Sequence, residues 1–143
     1  MTKEQIEKAI PHRAPMLLVD EIVDQSEKTI HCRKVFRADE FFLQGHFPNF
    51  PIVPGVILCE AALQSGAVLL SRLLTDQGTY VPVATRIDGA KFKKMVQPGD
   101  TIDIEVTLND VVSNAYFMTG KVTVAGKLAA RLDFACSIAP VPQ

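Results

Sequence analysis

Residues 56–74 read VILCEAALQSGAVLLSRLL. This run constrains the fold more than any other part of the chain. Leucine, alanine, valine and isoleucine dominate it, which predicts a helix from Val56 to Leu74 that is apolar almost all the way round. Gly66 is its weak point, worth about 1 kcal/mol against alanine. A water-soluble helix of this kind cannot rest one stripe on a neighbour; it has to be covered on most sides. A bilayer does not provide the cover. Glu60 and Arg72 interrupt the run, and the uncharged stretch between them, Ala61 to Ser71, is too short to span one. The rest of the chain must therefore wrap the helix.

The C-terminal half has the period needed to do so. TIDIEVTL puts Ile102, Ile104, Val106 and Leu108 on one face and Asp103, Glu105 and Thr107 on the other. KLAARLDFACSI does the same with Leu128, Ala130, Leu132, Phe134, Cys136 and Ile138. Such alternation marks antiparallel strands buried on one side. AYFMTGKVTV lies between them, bounded by turns at Ser113-Asn114 and Ala125-Gly126. PVATRIDGAKFKKMV predicts one or two further strands, and MLLVDEIVDQ and KTIHCRKVFR two more upstream. Thr2 is placed to cap a short helix, Lys3 to Ala9, ended by Pro11; residues 37–54 form a loop. The pattern predicts one α+β domain over residues 1–143, a curved antiparallel sheet around a buried helix. It excludes a helix bundle.

Composition removes several function classes. The net charge of −1 gives no electrostatic footprint for nucleic acid. Three separated cysteines, Cys32, Cys59 and Cys136, with no CxxC pair, argue against a disulfide framework or zinc site and fit a reducing compartment. The N-terminus has no apolar signal core, so the reading is a soluble cytoplasmic protein. Phosphate-binding loop, dinucleotide fingerprint, GxSxG and HExxH motifs are all missing from the sequence.

The stretch GHFPNFPIVPG, residues 45–55, immediately precedes the long helix. Gly45 permits a turn, and Pro48, Pro51 and Pro54 stiffen the loop. Such a loop can hold His46 in one place, and histidine suits proton transfer near neutral pH. A histidine merely satisfied in a loop is the competing reading. Pro54-Gly55 opens the helix, whose first N–H groups lack internal partners. Gly55 is either an ordinary helix start or an oxyanion site using the backbone N–H and the positive end of the helix dipole. Glu60 lies in an otherwise apolar stretch, where a carboxyl must be paired, hydrogen-bonded or protonated. Gln64, four residues on, shares its face and is placed to hold it. A histidine base, an oxyanion site and a carboxyl acid together suit proton abstraction beside a carbonyl.

Three blocks, PHRAPMLLVD, then QGHFPNFPIVPGVILCEAALQ, then IDGAKFKKMVQPGDTIDIEV, resemble the FabZ type of 3-hydroxyacyl-[acyl-carrier-protein] dehydratase. They stand in that family's order and span nearly the whole chain. The resemblance implies the hot-dog fold, a long helix wrapped by an antiparallel sheet. It implies a homodimer, often three dimers in a hexamer, with His46 of one chain facing Glu60 of the other. The reaction implied is loss of water from a (3R)-3-hydroxyacyl thioester on acyl carrier protein, in fatty acid synthesis, without metal or organic cofactor. His46 and Glu60 would be the catalytic pair. Gly55, Val56, Gln64 and Phe47 would form the oxyanion and substrate-binding set. Arg86, Lys91, Lys93 and Lys94 would dock the acidic carrier, although a short charge run is by default a solvated face. His12 is read as structural, His31 as a surface residue, and Cys59 as no nucleophile.

The sequence departs from many relatives at Asn49 and Phe50, at Tyr80, which lies upstream of the usual aromatic gate, and in LQSGAVLL. These departures bear on acyl length. Glu60, where the isomerising relatives carry aspartate, favours dehydration alone. Two other readings stay open: a hot-dog acyl thioesterase using Glu60 as base, and a non-catalytic acyl- or carrier-binding subunit.

Overall fold

A computed structural model describes residues 3–73 and 79–142. Helix α1 spans Lys3–Ala9 and α2 spans Gly55–Ser71. The strands are β1 Glu21–Gln25, β2 Thr29–Val35, β3 Tyr80–Phe92, β4 Thr101–Val112, β5 Ala115–Val124 and β6 Lys127–Pro140. A short 3-10 helix covers Phe41–Leu43 in the loop before α2. The expected cap at Thr2 and helix end at Leu74 lie outside the described residues. The long helix begins one residue earlier than its composition suggested, at Gly55, and stops at Ser71.

All six strands form one antiparallel sheet in the order β1-β2-β4-β5-β6-β3. The chain leaves β2, runs through α2 and enters the far edge as β3, so the helix lies across the sheet and packs on β2 through β6. The alternation in β4 holds: Ile102, Ile104 and Val106 are fully buried under α2. Both predicted turns are present. Ser113 has φ 56°, and Ala125 and Gly126 have φ 49° and 80°, the paired positive values of a tight hairpin.

Gly66 has a reason to sit in the helix. A Cβ there would stand 2.9 Å from the Phe134 ring and 3.1 Å from the Met118 sulfur. Its absence lets α2 approach β5 and β6 closely, and that contact outweighs the propensity cost. Cover on most sides is also observed: residues 64–71 are all buried.

One sequence reading needs correction. MLLVDEIVDQ becomes strand only from Glu21. Leu17, Leu18 and Val19 are buried, but they pass over α2 instead of joining the sheet, held by Gln64 as described below. Of the one or two strands expected from PVATRIDGAKFKKMV, one forms, with irregular register at Ala84/Arg86 and Asp88/Lys91. Among the described residues that strand, β3, pairs with β6 alone, and it is largely exposed, showing Tyr80, Val83, Ile87 and Phe92 to solvent. A long, apolar edge with unpaired backbone groups is a template for another strand.

Candidate active site

His46 sits where the loop turns back toward α2. Gly45 has φ 77° and Phe47 φ 50°, so a left-handed residue on each side brackets the histidine. The loop closes through His46 N–H to Leu43 C=O (3.2 Å) and Phe50 N–H to Phe47 C=O (3.1 Å). The ring is fixed by two contacts. Nδ1 lies 3.0 Å from the Ile52 carbonyl, and Phe47 packs edge-on at 4.8 Å between centroids. A carbonyl only accepts, so Nδ1 carries the proton and donates. This leaves Nε2 as an acceptor with no partner among the described residues, the form a general base requires.

Helix α2 starts without a side-chain cap, since Pro54 occupies that position. Its carbonyl receives Ile57 N–H at 2.9 Å. The N–H groups of Gly55 and Val56 have no acceptor among the described residues. They open beside a cavity of about 480 Å³, lined by Ile52, Val53, Val56, Leu58, Met95 and Val96 among others. Phe92 lies over Gly55 so closely that a Cβ would meet its ring at 2.8 Å. Uncapped donors at the positive end of a helix, facing an apolar cavity, can stabilise an oxygen that gains negative charge.

Glu60 lies one turn further along α2, half-buried with its side chain 27% exposed, so a single chain does not enclose it as its apolar neighbours suggested. Gln64 holds it. Gln64 is 1% exposed, and its amide is fully used. Oε1 accepts Leu18 N–H at 2.7 Å. Nε2 donates to the Met16 carbonyl at 2.8 Å and to Glu60 Oε2 at 2.8 Å. The two backbone bonds fix which end of the amide is which, so Gln64 is a donor toward Glu60. Among the described residues no hydrogen bond, ion pair or ring contact joins His46 to Glu60 of the same chain.

The family profile described as FabA-like domain matches residues 10–133, which include the loop, the helix start and Glu60. The chain belongs to the FabA-like domain family. Its relatives within that family include the 3-hydroxyacyl-[acyl-carrier-protein] dehydratase FabZ of Koribacter versatilis, 40% identical over 139 residues, covering 96% of this chain and 88% of that protein. The protein of the same name from Erythrobacter litoralis is 41% identical over 142 residues, covering 97% and 93%. That from Petrotoga mobilis is 38% identical, covering 96% and 98%. Among solved structures, the dehydratase heterocomplex ApeI:P from Xenorhabdus doucetiae superposes with a TM-score of 0.80 at 17% identity, over 94% of this chain and 90% of that one. This likeness establishes the hot-dog fold for the FabA-like chain.

The remaining sequence candidates divide. Lys93 and Lys94 line the cavity beside Gly55. Lys91 is exposed on β3. Arg86 is paired with Asp88 and lines a different cavity, with Asn109 and Asp133. The four cations therefore do not share one cavity. His31 is not a free surface residue: its Nε2 bonds Asp103 Oδ1 at 2.7 Å across β2 and β4, beside Arg33 Nε at 3.0 Å from the same oxygen. Burial pushes the Asp103 carboxyl up, but the bonds from His31 and Arg33 outweigh it and hold the carboxyl below the usual aspartate value. Cys59 is buried, and burial pushes its thiol up, away from nucleophilic use. Among the described residues, no group of three or more His, Cys, Asp or Glu is arranged to hold a metal ion, and no helix is long and apolar enough to cross a membrane.

Sequence reasoning missed one neighbour of the site. His12 Nε2 stands 3.7 Å from Glu60 Oε2. The only sequence signal was its position in the PHR block, 48 residues away from Glu60 in the chain. Nothing in local periodicity shows that the segment folds back over α2.

Proposed function

We propose that this chain is a single-domain 3-hydroxyacyl-[acyl-carrier-protein] dehydratase of fatty acid synthesis, converting a (3R)-3-hydroxyacyl thioester to the trans-2-enoyl thioester and water. The observation that carries this reading is the state of His46. Its Nδ1–H is committed to the carbonyl of Ile52, a residue that lines the cavity at the uncapped start of α2, and its Nε2 has no partner among the described residues. His46 Nε2 takes the α-proton. The electron pair moves toward the thioester oxygen, which the Gly55 N–H stabilises, with Val56 N–H next to it. The pair then returns to form the α,β double bond as the C–O bond at the β-carbon breaks. Glu60 delivers a proton to the departing hydroxyl, which leaves as water; transfer of the proton from His46 back to Glu60 restores the site. No bound cofactor enters this sequence.

The acyl chain fits the apolar walls of the cavity, and Phe47, 47% exposed beside His46, would contact substrate near the mouth. That no hydrogen bond, ion pair or ring contact among the described residues joins His46 to Glu60 of one chain, and the open apolar edge of β3, support a homodimer in which each site takes His46 from one protomer and Glu60 from the other. Three such dimers would make a hexamer. Lys93 and Lys94 at the cavity, with Lys91 and Arg86 along β3, offer positive charge to an acidic carrier protein. Three buried free thiols are in keeping with a cytoplasmic location.

The test is hydration of a trans-2-enoyl thioester, the reverse reaction, followed by loss of enoyl absorbance. Wild type should turn over, and His46→Ala and Glu60→Gln should each lose about 100-fold or more while remaining folded. Release of free thiol instead would make the chain a thioesterase. Thioester binding without turnover would make it a binding subunit.

A further inference from the structure

We infer that His12 is a positioning residue for Glu60, and that with Gln64 it determines which carboxyl oxygen exchanges a proton with substrate. The inference rests on the dehydratase reading above. Both neighbours address the same oxygen. Gln64 Nε2 donates to Oε2 at 2.8 Å, and His12 Nε2 approaches Oε2 at 3.7 Å. Oε1 has no hydrogen-bond partner among the described residues. An oxygen that already accepts an N–H donor is a poor place for the carboxyl's own proton. The acid form therefore carries its proton on Oε1, the oxygen left for substrate.

The histidine ring is aimed for this purpose by the backbone around it. Gln64 binds Met16 and Leu18, the far side of the segment that begins at His12, and so clamps that segment onto α2. Its near side is closed by Met16 N–H and Leu17 N–H to the Arg13 carbonyl. His12 Nδ1 is buried with no hydrogen-bond partner among the described residues. A proton on Nδ1 would be an unsatisfied buried donor, so the neutral ring carries it on Nε2, facing the carboxyl. The other charged groups nearby point elsewhere. The Arg13 guanidinium donates to the carbonyls of Ile10 and His12 and lies 3.9 Å from Glu7 of α1. Glu60 is the ionisable group that His12 meets. A ring needed only to fill space would leave no reason to bury an unpaired nitrogen.

The test compares His12→Gln, whose amide nitrogen can replace Nε2–H, with His12→Leu, which fills the space without a donor. On enoyl thioester hydration, His12→Leu should lower kcat about tenfold to a hundredfold with KM nearly unchanged, as expected when a reacting group is misplaced. His12→Gln should restore most of the loss. In a Glu60→Gln background, His12→Leu should add no further loss, because it acts through that carboxyl. Equal loss in both His12 variants, tracking thermal stability, would overturn the inference, as would wild-type kcat in His12→Leu. A readout independent of turnover is the ¹⁵N spectrum of the histidine rings. His12 should show the Nε2–H tautomer, with its Nε2 signal moved by Glu60→Gln. A signal indifferent to that substitution would overturn the inference. A wild-type chain that fails to hydrate the thioester would overturn the dehydratase reading, and the ¹⁵N spectrum would still decide the contact.

Discussion

Gln64→Leu is the substitution whose cost the structure defines most closely. The change keeps the side chain's bulk and removes its polar atoms. Leu18 N–H then loses its acceptor at 2.7 Å, and Leu18 is only 1% exposed, so water cannot take its place. An orphaned buried backbone donor costs about 1–3 kcal/mol. The Met16 carbonyl loses its donor too, but Met16 is 42% exposed and its carbonyl can turn to solvent at little cost. The extra apolar burial of leucine offsets part of the loss. The net is destabilisation of about 2 kcal/mol, or a Tm lower by roughly 5 °C for a chain of this size. The measurement is thermal unfolding by circular dichroism at matched protein concentration, since association shifts apparent stability. Gln64→Glu should be harsher, because it turns an oxygen toward two acceptors, the Met16 carbonyl and Glu60 Oε2. A Gln64→Leu protein melting within about 1 °C of wild type would refute the claim that this amide clamps the 12–18 segment onto α2.

Gly55→Ala should fold but lower kcat/KM about tenfold, because its Cβ would press on the Phe92 ring at 2.8 Å and that half-exposed ring must swing into the cavity mouth; unchanged steady-state kinetics would count against the helix start as the oxyanion site. Asp103→Asn tests the cross-strand pair by pH. The carboxyl is held below its ordinary value, about 3.9, so its contribution to stability is present above that value and is lost as pH falls through the lower folded value. The stability gap between wild type and Asp103→Asn should therefore be largest near neutrality and close on acidification, and a gap constant with pH in denaturant titrations would sink this account. Lys93→Glu with Lys94→Glu should raise KM for a carrier-bound thioester severalfold and leave KM for a short soluble thioester unchanged; equal effects on both substrates would place these lysines in the acyl site and not at a docking surface.

Much of the fold was legible because two periods are written plainly. A run of apolar residues too short for a bilayer had to be wrapped, and β4 and β6 alternate cleanly enough to supply the wrapping. The loop chemistry was legible for a local reason: proline, glycine and histidine in one short stretch constrain the backbone wherever it lies. Gln64 and Glu60 were legible as an i, i+4 pair on one helix. Long-range contacts were not. Nothing in MLLVDEIVDQ says that Leu17 to Val19 will cross a helix and not pair in a sheet, because a buried extended segment and a buried strand share one composition. His31 and Asp103 meet only through the β2–β4 register. His12 reaches Glu60 only because Gln64 bonds the backbone beyond it, and a hydrogen bond between residues so far apart in sequence leaves no periodic trace.

The central claim is that one site takes its base from one chain and its acid from the other. It is tested most directly by mixing two inactive proteins, His46→Ala and Glu60→Gln, under conditions that allow subunit exchange, and measuring enoyl thioester hydration. In a mixed dimer with two-fold symmetry, one site has both substitutions and the other has neither. With random exchange, about half the dimers are mixed and each has one intact site, so activity should recover to roughly a quarter of wild type. A mixture no more active than the sum of its two parents would contradict the claim and place His46 and Glu60 outside a shared site.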